Sequence, residues 1–141
     1  MDKGRQYIQM CKRSKEIQSI WTPKAGDFYA NSDNTVLCWI PGAPQSGIIK
    51  NGFKIEPGAK ITRIDPLVWL PKLDQLIEIS QVPGTNFRDI TFVFYEWVKR
   101  PYAQKKQAAN LFFSSLEQLW FAFIMTRKFS KAWTGEGWVN L

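Results

Sequence analysis

The chain has 141 residues with 19 Lys and Arg, 12 Asp and Glu and a formal net charge of +7, enough for one domain spanning 1–141 with a sizeable core. It contains no histidine. That removes the commonest general base, every Ser-His or Cys-His nucleophile pair and most zinc and iron sites, while the two cysteines, Cys11 and Cys38, lack metal-ligand spacing and are expected as reduced, buried thiols of a cytoplasmic protein.

Residues 4–20 are predicted as one amphipathic helix, with Tyr7, Met10, Ile17, Ile20 and Trp21 on one side and Pro23 as its stop. It follows a basic start but no continuous apolar segment, so neither a signal peptide nor a membrane span is expected. Gly26–Ala30 and Thr35–Ile40 flank the turn residues Asn31–Asn34 and are expected to pair as a hairpin. A further strand over Ile48–Ile55 is interrupted by Asn51-Gly52, which favours a second hairpin, and Lys60–Ile64 alternates as a half-buried strand does. Together these form a small central antiparallel sheet over 26–64. The glycines and prolines between the strands match no phosphate-binding loop pattern.

From Trp69 to Ile79 a helix is predicted, with Pro71 in its first turn and Leu73, Leu76 and Ile77 as its buried stripe. Asp74 and Glu78 lie four apart on one face, where a solvated acidic surface is a commoner reading than a metal or acid–base pair. Residues 87–99 keep helical spacing through Phe87, Ile90, Phe94, Trp97 and Val98, and Asn86 with Asp89 reads as a cap. The β-prone run Ile90–Phe94 leaves a strand as the competitor. Residues 102–113 are a connection carrying Lys105 and Lys106.

Ser114-x-x-Glu117 is a capping box for a helix over about 115–129, and Ser115-x-x-Gln118 offers the same device one residue later. Leu116, Leu119, Trp120, Phe123 and Ile124 share a face, and Phe121, Ala122 and Met125 make the helix apolar almost all round. Glu117 and Arg127-Lys128 bound the run too tightly for a membrane span of roughly 20 apolar residues, so this is a core helix. Trp133-Thr134-Gly135-Glu136-Gly137-Trp138 reads as a terminal hairpin with its tryptophans facing each other, an aromatic binding platform being the alternative. The fold class is α+β.

Charge is unevenly distributed. Residues 1–24 hold six basic and two acidic side chains, and residues 99–131 hold seven and one. Arg5, Lys12, Arg13, Lys15, Lys99, Arg100, Lys105 and Lys106 are therefore the candidate contacts for a partner or for nucleic acid, provided that the two ends share a face. The carboxylates Asp27, Asp65, Asp74 and Glu78 would serve a metal-dependent nuclease only if they converged. No helix-turn-helix, zinc-finger or RNA-binding signature is present.

Four motifs carry a resemblance. Trp69-Leu70-Pro71-x-x-Asp74-Gln75-Leu76, Phe94-Tyr95-Glu96-Trp97-Val98-Lys99, Leu116-Glu117-Gln118-Leu119-Trp120-x-Ala122-Phe123-x-Met125 and Trp133-x-Gly135-Glu136-x-Trp138-Val139 resemble those of small phage and prophage proteins of Gram-positive bacteria. The Trp21-x-Pro23-x-x-Gly26-Asp27 turn matches as well. The resemblance implies a cytoplasmic accessory protein expressed in the host and supplies no catalytic residues. The lack of histidine, of a metal cluster and of a nucleotide loop, with seven tryptophans, points to a non-enzymatic protein without cofactor that acts on an unidentified host or phage protein. Weak, non-specific nucleic-acid binding is the alternative.

Overall fold

The computed structural model describes residues 1–40, 67–100 and 112–141 in full, and the backbone of three short strands at 48–50, 53–55 and 61–63. Its elements are α1 (Arg5–Lys12), α2 (Lys15–Ser19), β1 (Phe28–Ala30), β2 (Val36–Cys38), β3 (Ile48–Lys50), β4 (Phe53–Ile55), β5 (Ile61–Arg63) and β6 (Val68–Leu70). They continue with α3 (Leu73–Ser80), α4 (Phe87–Lys99), α5 (Leu116–Phe129), β7 (Lys131–Trp133) and β8 (Trp138–Asn140). The fold is α+β, with all sheet pairings antiparallel.

Helix α5 is the centre of the core. Six consecutive residues, Trp120 to Met125, are buried, so the middle of the helix is enclosed on every side, as its composition requires, while Leu116 at its start is exposed. Its start is corrected by one residue. Ser115, not Ser114, is the cap, its Oγ accepting from the Gln118 N–H at 3.1 Å. The buried Gln118 side chain accepts from the Ser114 N–H at 3.1 Å, and Asp2 accepts from Ser115 Oγ at 2.5 Å and from Gln118 Nε2 at 2.6 Å. Asp2 thus places a carboxylate at the positive end of the helix, a position no local pattern identifies. At the other end Ser130 takes the left-handed conformation (φ 52°) and the chain turns directly into β7.

The helix predicted over 4–20 is two helices. Ser14 is fully buried and its Oγ donates to the Cys11 carbonyl at 3.0 Å, a local bond that competes with the helical ladder. The second piece ends at Ser19, before Pro23 is reached, and Ile20 is exposed.

Two further expectations change. The sheet predicted over 26–64 is two three-stranded sheets, ordered β2-β1-β6 and β3-β4-β5. Val68–Leu70 is the buried edge strand β6, in register with β1, so Trp69 and Leu70, expected as the start of a helix, are strand residues. Accordingly, α3 begins only at Leu73, and Pro71 lies outside it rather than in its first turn. The side-chain amide of Gln18 donates to the Trp69 carbonyl at 3.0 Å and accepts from its N–H at 2.8 Å, satisfying backbone groups that an edge strand would leave open. The 28–30/36–38 and 48–50/53–55 hairpins and the 61–63 strand form as expected.

Helix α4 forms rather than a strand. Asn86 accepts from the Asp89 N–H at 3.0 Å, and Ile90, Phe94 and Trp97 are its buried stripe. Its ring system interlocks with α5: Phe94 lies 3.8 Å from Trp120 between ring centroids, and Trp97 meets Phe123 edge-on at 5.6 Å. From α5, Lys128 Nζ donates to the Ile79 carbonyl and, at 3.1 Å, to that of Gln81, capping the C-terminal end of α3. No helix among the described residues is long and apolar enough to cross a membrane.

Candidate interaction surfaces

The motif residues meet inside the molecule. Gly26 occupies the left-handed region (φ 84°) and turns the chain so that Asp27, fully enclosed, faces back on the Trp21 loop. Asp27 Oδ2 accepts from Trp21 Nε1 at 3.0 Å and from the Lys24 N–H at 2.9 Å. Its Oδ1 accepts from Gln75 Nε2 at 2.6 Å. Gln75 in turn accepts from the Lys72 N–H at 2.9 Å, bracing the start of α3. Above this network Trp21 stacks on Trp69, 6.2 Å apart and 3° from parallel. The Trp-x-Pro-x-x-Gly-Asp and Trp-Leu-Pro-x-x-Asp-Gln motifs are therefore one hydrogen-bonded joint. Both Asp27 oxygens are occupied by donors, while Asp74 and Glu78 remain exposed on α3. Asp65 lies outside the described residues.

The C-terminal motif is likewise structural. Trp133 and Trp138 are cross-strand partners 5.0 Å apart, Trp138 stacks on Phe121, and its indole N–H donates to the Met10 carbonyl at 2.9 Å. The hairpin is pinned to α1, as the packing reading expects. Burial raises the Cys11 thiol well above its ordinary value, and burial likewise raises the Tyr7 hydroxyl, which donates to the Pro71 carbonyl at 2.6 Å. A thiol held in that state is a poor nucleophile. No group of His, Cys, Asp and Glu among the described residues could hold a metal ion.

Two surfaces stand out among the described residues. The first is a groove of about 580 Å³ between α1 and the hairpin turn, lined by Arg5, Gln6, Gln9, Arg13, Gly135 and Glu136. Of the eight basic candidates it gathers two, Arg5 and Arg13. Lys12 on α1 and Lys15 on α2 are exposed outside its lining, and Lys99 and Arg100 sit at the end of α4. Lys105 and Lys106 lie outside the described residues. The N- and C-terminal segments do pack together, but through α1 and the hairpin.

The second surface was not anticipated. On α4, Phe92 is 64% exposed and Tyr95 57%, opposite the buried stripe. Arg88, Phe92, Tyr95 and Lys99 follow the i, i+4, i+7, i+11 spacing of a single helical face. Lys99 Nζ lies 5.2 Å from the Tyr95 ring centroid and 3.5 Å from Glu96. The signal was present in the sequence as apolar residues out of phase with Ile90, Phe94 and Trp97. No family model, curated protein or solved structure matches this chain.

Proposed function

We propose that this is a non-enzymatic cytoplasmic accessory protein that acts by docking a protein partner on the outer face of α4, in the phage or prophage setting that the motif resemblance implies. The observation that carries this reading is the pair of exposed aromatics, Phe92 and Tyr95, framed by Arg88 and Lys99 on a helix whose opposite face is already committed to the core. Aromatic and arginine side chains dominate interface hot spots, and neighbouring cations orient an approaching partner. The motif residues, by contrast, are engaged in hydrogen bonds and packing within the fold, which supports a scaffold role for them.

The test is affinity capture from phage-carrying cells with tagged wild type and with Phe92→Ala/Tyr95→Ala, each with and without nuclease. A partner retained after nuclease and lost from the variant is expected. Truncating two hot-spot rings weakens binding by about 2 kcal/mol or more, while the melting temperature stays close to wild type because both rings are exposed. Capture that disappears with nuclease, or that is equal for the variant, refutes the reading.

A further inference from the structure

The groove between α1 and the hairpin turn has a chemistry of its own. Arg5, Gln9 and Arg13 succeed one another every four residues and share one flank of α1, and neither guanidinium forms an ion pair among the described residues. Glu16, the acidic residue in α2, is engaged by Lys131 and does not neutralise them. On the far wall the Thr134–Gly137 turn is closed on itself: Thr134 Oγ1 accepts from the Glu136 and Gly137 N–H groups, and Glu136 is the charged residue of that wall. The Gln6 amide donates to the Phe112 carbonyl and to Gln118, so the site offers two separated cationic forks, the Gln9 amide between them and Glu136 opposite.

We infer that this groove binds an extended acidic segment of a protein partner that carries two carboxylates four residues apart. Arg5 and Arg13 are eight residues apart on a helical path, about 12 Å along the axis. In an extended peptide, residues i and i+4 point to the same side and lie about 13 Å apart. Each guanidinium fork donates two N–H bonds to one carboxylate in bidentate geometry. Gln9, midway, has both a donor and an acceptor for the main chain, and Glu136 accepts a peptide N–H from the opposite wall. A nucleic-acid strand fits this charge pattern less well, since its regularly spaced phosphates would bring a negative charge up to Glu136, and among the described residues no aromatic side chain lines the groove to stack a base. The inference adds a second contact to the protein-partner reading and shares no residue with α4.

The experiment is an NMR titration of the full chain with the capped peptide Glu-Ala-Thr-Ala-Glu, at about 50 mM salt, where exposed charges are weakly screened. Amide shifts confined to α1 and residues 134–137 are expected. Arg5→Gln and Arg13→Gln each weaken the affinity roughly tenfold, the effect of losing a charge-assisted hydrogen bond. The Gln-for-Glu peptide and a peptide with carboxylates two residues apart bind at least several-fold more weakly. Phe92→Ala/Tyr95→Ala leaves peptide binding unchanged, so failure of the α4 reading and failure of this one are separable. Absence of shifts in the groove, equal binding of the neutral or respaced peptide, or tighter binding of a pentathymidylate overturns the proposal.

Discussion

The Asp27–Gln75 contact joins the two motifs that frame the β1–β6 sheet, and exchanging its polarity measures the strength of that joint. In Asp27→Asn the favoured orientation keeps the amide oxygen on Trp21 Nε1 and the Lys24 N–H, which turns the new amide nitrogen towards Gln75 Nε2 in place of the 2.6 Å bond. A donor then faces a donor. A hydrogen bond to a charged group contributes roughly 1.5–3 kcal/mol, so a loss of about 2 kcal/mol is expected. Gln75→Glu alone sets a second carboxylate against the enclosed Asp27, and the like-charge contact costs a similar amount, about 2 kcal/mol or more. Combining the two changes restores complementarity: the new amide donates to the new carboxylate, whose other oxygen still accepts from the Lys72 N–H. Urea unfolding of all four proteins gives the coupling from a double-mutant cycle. The double variant should recover at least about 1.5 kcal/mol relative to the sum of the single losses. Additive losses would mean that the two side chains do not depend on each other, and the joint would be no more than proximity.

Capping and pH supply further tests. Ser115→Ala should lose about 1 kcal/mol, within the 0.5–2 range for a cap, and more than Ser114→Ala; the reverse order in thermal unfolding would move the helix start back. Lys131 holds the Glu16 carboxylate below its ordinary range through their hydrogen bond. A depressed carboxylate stabilises the fold above its unfolded value near 4.3, and that contribution is lost as pH falls through the folded value. Glu16→Gln should therefore cost up to about 1 kcal/mol at pH 7, and the difference from wild type should vanish in melts well below pH 4. A pH-independent difference would assign the effect to packing instead.

Local signals determined much of this protein. The apolar periodicity of Leu119–Met125 identified the helix at the centre of the core, turn residues located the hairpins, and Asn86 with Asp89 marked the start of α4, because each depends on neighbours within a few residues. Tertiary contacts decided the rest. Val68–Leu70 is a strand because β1 offers it an antiparallel edge, although Trp69 and Leu70 read as the start of the helix that runs to Ile79. The break at Ser14 and the cap at Ser115 were settled by burial and by Asp2, whose carboxylate arrives from 113 residues away in sequence. The candidate surfaces divided the same way. Net charge pointed to the basic ends, but only the packing of the hairpin on α1 placed Arg5 and Arg13 in one groove. The aromatics Phe92 and Tyr95 of α4 are out of phase with Ile90, Phe94 and Trp97 in the sequence, but only the closure of the core showed which of the two apolar sides stays exposed. Periodicity records which residues share a side of a helix; it does not record which side the rest of the chain covers.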